Sequence, residues 1–149
     1  MKAIKQIIPT TIAIFACMSF ATAGGWTSNL DTALSSAKKN KKFVLAQFTG
    51  SDWCPPCMMM HDKVFSKSSF TGPASKKFIL VKIDIPKSNK SLTLKNRKVM
   101  KAYKVTGVPT ILLFGDDGRE FSRFGAAEFP TVDGFLDKLR EELKKKDMD

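Results

Sequence analysis

Short apolar runs alternate with segments of helical periodicity along most of the chain. Three apolar runs rich in strand-forming residues predict buried strands, and a fourth segment of alternating apolar and polar residues predicts another strand. Apolar residues recurring every three or four positions predict helices, the first opened by a capping box of Ser28 and Asp31. The predicted strands span residues 43–48, 78–83, 110–114 and 120–124, and the predicted helices span residues 29–37, 94–103 and 130–146, with one more that begins within 50–56 and ends near 65.

The order of these elements, α-β-α-β-α-β-β-α, predicts the α/β fold class. Strands separated by helices are joined by right-handed crossovers, so the first two strands should pair in parallel. Asp116-Asp117-Gly118 is a turn signal that predicts an antiparallel hairpin of the last two strands. We therefore expect one mixed central sheet flanked by helices on both faces.

The first 23 residues have the pattern of a secretory signal peptide. Lys2 and Lys5 precede an almost wholly apolar stretch, residues 7–20, and Ala21-Thr22-Ala23 supplies a small-x-small cleavage pattern. Cleavage after Ala23 would leave a single domain, residues 24–149, in the periplasm or outside the cell.

Two alternatives to cleavage after Ala23 remain for this segment. A transmembrane anchor is disfavoured because the apolar stretch is shorter than the ~20 residues that a spanning helix needs, and Pro9 interrupts its start. Ile14-Phe15-Ala16-Cys17 loosely resembles the lipobox of bacterial lipoproteins, although Phe15 fits that pattern badly. Lipidation of Cys17 is therefore the less favoured reading.

The chain is basic, with 25 Lys and Arg against 14 Asp and Glu and a net charge of +11. Many lysines fall at the ends of two predicted helices, within residues 38–42 and 144–146, where cations complement the negative end of the helix dipole. An exported protein rarely meets nucleic acid. We therefore expect a solvated basic surface and no nucleic-acid partner.

The chain has three cysteines, and removal of the signal peptide would take Cys17 and leave Cys54 and Cys57. A disulfide across two intervening residues restricts the unfolded chain very little, so it makes a poor structural cross-link. In an exported protein such a pair is better explained by reversible redox chemistry.

The position of Cys54 suits a nucleophile. It follows a buried strand where a helix begins, so the positive helix end can stabilise its thiolate, the reactive form of cysteine. Pro55 suits the first turn of a helix, where no backbone donor is needed. Cys57 lies one helical turn further on, as a resolving thiol that attacks the mixed disulfide.

Metal binding is the main alternative use of the pair. Structural zinc needs four ligands, and the chain offers no second CxxC and the single histidine His61. Copper stays open, because Cys57-Met58-Met59-Met60-His61 gathers the soft ligands that Cu(I) prefers. Consecutive helical residues point in different directions, however, so at least one methionine should pack into the core.

Trp53-Cys54-Pro55-Pro56-Cys57 after a buried strand, followed by Gly107-Val108-Pro109-Thr110 opening another, resembles the thioredoxin superfamily. The resemblance covers residues 30–143 and implies a thioredoxin-like fold. It also implies that Pro109 is cis and faces the cysteines, and that Trp53, Val108 and Pro109 bind substrate, with the Val108 backbone pairing with an extended substrate segment.

The stretch from Gly50 to Cys57, continuing to Val64-Phe65-Ser66, is similar to a bacterial subgroup. That subgroup contains secreted thioredoxin-like proteins and the periplasmic C-terminal domain of the membrane thiol:disulfide interchange reductase. The resemblance implies an oxidoreductase that transfers electrons by dithiol exchange without a bound cofactor, and we separately expect a monomer. Its partners would be exported protein disulfides and a membrane or periplasmic thiol electron donor.

The chain departs from the superfamily pattern in two places. Gln47 stands where a buried aspartate is usual, and Leu80 is assigned to the position of its partner lysine. Gln47 can hydrogen-bond or hold a water molecule but cannot accept a proton as a base. Either another group, such as His61 or Asp52, assists proton removal from the resolving thiol, or that step is slower. Pro55-Pro56 replaces the usual Gly-Pro, removing two backbone donors while stiffening the loop.

Three functional classes follow from these observations. A protein-disulfide reductase is favoured over an oxidase or an isomerase. Oxidases of the superfamily commonly carry a large helical insertion and isomerases an extra dimerisation domain, and neither is seen in this sequence. A Cu(I)-handling protein that uses Cys54, Cys57 and their Met and His neighbours is the alternative. A redox-inert binding module is disfavoured by the presence of both cysteines and Pro109.

Overall fold

The computed structural model describes residues 25–148, which form a four-stranded sheet between two layers of helices. The predicted signal peptide, with its cleavage site and Cys17, lies outside the described residues. The strands are β1 (Phe43–Thr49), β2 (Phe78–Asp84), β3 (Thr110–Phe114) and β4 (Glu120–Gly125). The α-helices are α1 (Leu30–Asn40), α2 (Pro55–Met60), α3 (Ser68–Lys77), α4 (Lys90–Ala102) and α5 (Val132–Lys146), with a π-helix at His61–Phe65 and a 3-10 helix at Ala126–Glu128.

The sheet is mixed, with the strand order β2-β1-β3-β4. β1 and β2 are parallel, whereas β3 is antiparallel to both β1 and β4. The predicted α/β class, the parallel first pair and the terminal hairpin are confirmed. The register of β1 and β2 places Gln47 beside Lys82, and both residues lie near the ends of their strands that adjoin the cysteines.

Two apolar layers cover the sheet. One layer packs α2, the π-helix, α3 and α5 against one face, and the other packs α1 and α4 against the opposite face. In the first layer Phe65 and Phe70 both meet Phe135 edge to face, with ring centroids 5.1 and 5.4 Å apart. Such pairs add about 0.5–1.5 kcal/mol each beyond area burial, so they fix the far end of the π-helix.

Among residues 25–148, none of the helices combines the length and apolar character needed to cross a bilayer.

Helix starts differ from the predicted ones because asparagine supplies the caps. Asn29, not Ser28, caps α1, and its side chain accepts the N–H of Thr32. α4 begins at Lys90, four residues before the prediction, because Asn89 caps it in the same way. An N-cap oxygen satisfies one of the free N–H groups at a helix start, and asparagine is among the best residues for it.

α3 has no counterpart among the helices predicted from sequence. The helix contains Pro73 and a glycine, and of its residues only Phe70 and Ala74 are buried, so no apolar periodicity marks it. Serine, threonine, glycine and proline are all poor helix formers. The helix is held instead by tertiary packing of Phe70 against Phe65 and Phe135.

Candidate active site

β1 leads directly into the turn that carries the two cysteines. Cys54 occupies the N-cap of α2 in an extended conformation, with Pro55 next along the helix. Proline is tolerated in the first turn because the N–H groups there have no partner within the helix. Cys54 and Cys57 form a disulfide with a Cα–Cα distance of 5.2 Å, and 4% and 1% of their surfaces are exposed. The predicted helix start at this pair is confirmed.

The helix behind the pair continues as a π-helix, His61–Phe65. The His61 N–H donates to the carbonyls of both Cys57 and Met58 at the junction. At the far end Trp26 Nε1 donates to the Phe65 carbonyl at 3.2 Å, which satisfies an acceptor that the helix end leaves free. Single π turns within α-helices occur frequently at functional sites.

Val108 and Pro109 lie against the cysteine pair. The Val108–Pro109 peptide bond is cis, as expected from the resemblance, and the Val108 carbonyl oxygen lies 3.8 Å from Cys54 Sγ. The Pro109 carbonyl accepts the N–H of Ala126. The backbone next to the cis bond is therefore held in place, and it faces Cys54 Sγ.

The active-site loop, residues 50–53, is bonded to the end of β2 and to the β2–α4 turn, residues 85–89. Ser51 donates to Asp84 twice, from its N–H at 3.0 Å and from its hydroxyl at 2.6 Å. Trp53 Nε1 donates to the Ile85 carbonyl at 2.7 Å. The indole ring also covers Gly50 so closely that a Cβ there would lie 2.5 Å from the ring. These contacts fix the residue that immediately precedes Cys54.

Asp52 holds the β2–α4 turn. Its two carboxylate oxygens accept the backbone N–H groups of Lys87 and Ser88 at 2.8 and 2.9 Å. Hydrogen bonds from the Ser88 side chain, the Ser88 backbone and the Lys87 backbone lower the pKa of this carboxyl. The expectation that Asp52 could take the Cys57 proton is therefore not supported, since its oxygens are already engaged with the turn and it lies outside the cavity described next.

A cavity of about 310 Å³ lies behind Cys57, and we call it the rear cavity. It is lined by Gln47, Thr49, Ser51, Cys57, Met58, His61, Asp62 and Lys82. Gln47 is buried at 2% exposure, and His61 stands exposed at the rim. The Gly50 N–H donates to Cys57 Sγ at 3.4 Å. The cavity is polar and large enough for several water molecules, so it offers a route for a proton between Cys57 and solvent.

The residue beside Gln47, where the superfamily has its partner lysine, is Lys82 and not Leu80. The parallel register pairs Gln47 with Lys82, whereas Leu80 is buried in the apolar layer beside α3. Lys82 Nζ lies 3.9 Å from an Asp84 carboxylate oxygen. The assignment of Leu80 was thus wrong by two residues. The sequence did hold a signal, because Lys82 is the only charged residue inside the apolar run of residues 78–83.

The three methionines after Cys57 point to different surroundings. Met60 is fully buried in the core, Met59 packs against the same cluster, and Met58 is exposed and lines the rear cavity. The expectation that at least one methionine fills the core is confirmed. Within residues 25–148 there is no group of three or more His, Cys, Asp or Glu side chains placed to hold a metal ion.

Comparison with known proteins gives a family and several relatives. The family described as "Thioredoxin-like domain" matches residues 30–140. The chain is 33% identical over 124 residues to "Disulfide bond reductase DsbH" of Chlamydia pneumoniae, covering 80% of this chain and 72% of that protein. A solved structure described as "DsbH Oxidoreductase" superimposes with a TM-score of 0.70 at 30% identity, over 80% of this chain and 84% of the other.

A second relative is much longer than this chain. "Thiol:disulfide interchange protein DsbD" of Actinobacillus pleuropneumoniae serotype 5b is 31% identical over 107 residues, covering 70% of this chain but only 17% of that protein. The predicted resemblance to the thioredoxin superfamily and to the interchange reductase is confirmed at the level of this domain.

Proposed function

The chain belongs to the thioredoxin-like family, and from that premise we propose that this thiol–disulfide oxidoreductase is exported and reduces disulfides in exported proteins. The observation that carries the proposal is the disulfide of Cys54 and Cys57 at a helix start, with the backbone of Val108 and Pro109 facing it. The reducing direction is supported by the similarity to a protein described as a disulfide bond reductase over 72% of its length.

The proposed cycle starts from the reduced protein. The Cys54 thiolate attacks one sulfur of a substrate disulfide, a mixed disulfide forms, and the other substrate sulfur leaves and takes up a proton. Cys57 then loses its proton and attacks the Cys54 sulfur, which releases the second substrate thiol. The substrate gains two electrons, and the protein is left with the Cys54–Cys57 disulfide of the structure.

Substrate binding in this proposal falls to Trp53, Val108 and Pro109. The Val108 carbonyl already lies 3.8 Å from Cys54 Sγ, so a substrate segment that pairs with this backbone would bring its disulfide to the nucleophile. Edge pairing of this kind uses main-chain hydrogen bonds and makes few demands on substrate sequence. It therefore suits an enzyme that acts on many protein disulfides.

Proton removal from Cys57 is assigned to the rear cavity. His61 lies at the rim of this cavity, and imidazole groups exchange protons near neutral pH. Gln47 is buried in the same cavity and can orient a water molecule, although it cannot act as a base. We assign His61 as proton acceptor and Gln47 as the residue that holds the intervening water.

Export is supported by the signal pattern of residues 1–23, with cleavage after Ala23. The mature domain would then work as a monomer in the periplasm or outside the cell, reduced by a membrane or periplasmic thiol donor. Mass spectrometry of the protein from the periplasmic fraction checks this directly. A mature N-terminus at Gly24 is expected, whereas cleavage before a lipidated Cys17 would leave the protein anchored to the membrane.

Cysteine variants test the reaction itself. Cys54→Ser should abolish reduction of a model protein disulfide, because the nucleophile is gone. Cys57→Ser should accumulate mixed disulfides through Cys54, visible by non-reducing electrophoresis and mass spectrometry. Full activity of the double-serine variant would falsify the proposal. The redox potential of the pair checks the direction: a value near about −270 mV fits a reductase, and one near about −120 mV an oxidant.

Cu(I) handling stays as a second candidate, because Cys57, Met58 and His61 line one cavity. Thiolate, thioether and imidazole are the ligands that Cu(I) prefers. Titration of the reduced protein with Cu(I) against a competing chelator measures this affinity. Tight binding that Met58→Leu and His61→Ala each weaken, without thiol exchange by the wild type, would favour this candidate over the reductase.

A further inference from the structure

The rim of the active site next to Cys54 carries an exposed lysine held in a defined place. Lys87 is exposed, and its ammonium lies over the Trp53 ring, 5.9 Å from the ring centroid. A cation over the face of an indole is attracted by the ring's electrons. Trp53 is the residue immediately before the nucleophile, so this positive charge stands beside the surface that a substrate must cover.

The backbone that carries Lys87 is fixed by the active-site loop itself. Asp52 accepts the N–H of Lys87 and of the next residue, Ser88. Trp53 bonds to the Ile85 carbonyl two residues before Lys87. The β2–α4 turn and the loop before Cys54 thus form one bonded unit, and the Lys87 backbone cannot shift far without breaking these bonds.

The carboxylates near this rim are bonded to other groups, so none of them pairs with the lysine ammonium. Asp52 is bonded to the turn backbone, and Asp84 is bonded to Ser51 and pairs with Lys82. Within residues 25–148, no carboxylate oxygen lies within the 4.0 Å of an ion pair from the Lys87 ammonium. The N–H donors of this ammonium are therefore free to pair with a carboxylate of a substrate that covers Trp53.

We propose that Lys87, held over Trp53 by the turn that Asp52 fastens, makes the enzyme favour disulfides with acidic residues beside the reacting cysteine. This inference rests on the proposed reductase function and adds a preference among its substrates. Opposite charges across a binding surface raise the association rate and fix register. Main-chain pairing at Val108 would then supply general affinity, and Lys87 would supply the selection by charge.

Two peptide disulfides test the preference. They share one sequence around the cystine, except that glutamates flank the cysteines in one and lysines in the other, and a third peptide with glutamines gives the neutral reference. The rate constant kcat/KM for reduction is measured at 0.15 M salt, where charges separated by more than about 8 Å are largely screened. We expect the wild type to favour the glutamate peptide over the lysine peptide by a factor of about three.

Lys87→Gln should remove most of this preference, and Lys87→Glu should reverse it, with the neutral peptide reduced as by the wild type. Lys38→Gln and Lys38→Glu are the matched controls. Lys38 is an exposed lysine in the last turn of α1, next to the start of β1. The seven residues of β1 separate it from the active site by about 20 Å.

Each outcome decides the point. Loss of preference in the Lys87 variants alone supports the proposal. If the wild type shows no preference among the three peptides, the proposal is wrong. If substitutions at positions 87 and 38 reduce the preference equally, the proposal is also wrong, because the enzyme then responds to total charge. If the wild type reduced none of the three peptides, the proposed reductase function would be wrong, so the experiment separates the two claims.

Discussion

The two sulfurs of the disulfide lie in contrasting surroundings. Cys54 is bordered by main-chain groups and by the tightly bonded active-site loop, with the Val108 carbonyl 3.8 Å from its Sγ. Cys57 opens on the rear cavity, where the side chains of Gln47, His61 and Lys82 come from three separate elements. We call the Cys54 side, residues 50–54 with Val108 and Pro109, the front of the site, and the Cys57 side with its cavity the rear. The front is thus set by backbone geometry. The rear is set by the register of β1 and β2 and by the direction in which the helix after Cys57 points His61.

This difference separates two requirements of the proposed reaction. The nucleophile must be presented to many substrates in one fixed geometry, which backbone bonds provide at low conformational cost. The resolving thiol must lose a proton at a defined step, which needs polar side chains and room for water. Substitutions in the front should therefore disturb stability and substrate binding, and substitutions in the rear should disturb the rate of resolution.

Gly50→Ala gives the largest expected effect and tests how rigid the front is. The added Cβ would lie 2.5 Å from the Trp53 ring, and moving that ring would break its hydrogen bond to Ile85. Overpacking of this kind costs about 1–3 kcal/mol. Urea unfolding should show that loss, together with weaker substrate binding.

Gly72→Ala is the matched control, because a Cβ at Gly72 within α3 meets nothing within 4 Å. Alanine is the better helix former, by about 1 kcal/mol, so this variant should be as stable as the wild type or more so. If Gly50→Ala unfolded at the same urea concentration as the wild type, the packing of Trp53 on Gly50 would not constrain the loop.

Lys82→Met should slow the attack of Cys57 on the mixed disulfide by about tenfold. Lys82 lines the rear cavity together with Cys57, so loss of its positive charge should disfavour the Cys57 thiolate, and a tenfold effect corresponds to about 1.4 kcal/mol of that electrostatic stabilisation. Stopped-flow decay of a preformed mixed disulfide measures the step. Lys38→Met removes the same charge at the other end of β1 and should leave the rate unchanged.

His61→Ala distinguishes a proton acceptor from a positive charge in the same cavity. It should slow the attack of Cys57 on a preformed mixed disulfide, and added imidazole should restore that rate, whereas the slower Lys82→Met variant should not respond to imidazole. Equal rates in wild type and both variants at every pH would show that Cys57 loses its proton without help from the rear cavity.

The front of the site was predictable from sequence because its signals are local. A CxxC pair after an apolar run predicted the helix start, and the resemblance to the thioredoxin superfamily implied the cis bond before Pro109. The role of Cys54 as nucleophile stays a prediction. The rear was predictable only in part, since Gln47 and His61 were identified but Lys82 was misplaced by two residues. Strand register depends on the packing of whole faces, and no short pattern encodes it. α3 was missed for a related reason, because it depends on Phe70 reaching an aromatic cluster from distant elements.

The smallest expected effect concerns the bond between Asp52 and the β2–α4 turn. Hydrogen bonds from the Ser88 side chain and from the backbone N–H groups of Ser88 and Lys87 hold the pKa of Asp52 below its usual range in the folded protein. A carboxyl group with a lowered pKa contributes stability that is fully present above its unfolded value and is lost as pH falls through the folded one. Above pH 5 this bond should therefore be intact.

Amide NMR of the folded protein checks this contact residue by residue. The Lys87 and Ser88 N–H signals should shift together on acidification, with a midpoint below pH 3.8, and Asp52→Asn should abolish that titration while the protein stays folded. Because Asp52 is exposed, we expect only a slight change in overall stability. A midpoint above 3.8, or amide signals that ignore the substitution, would mean that the turn is held without Asp52, and the bonded unit that places Lys87 beside Trp53 would rest on the indole bond alone.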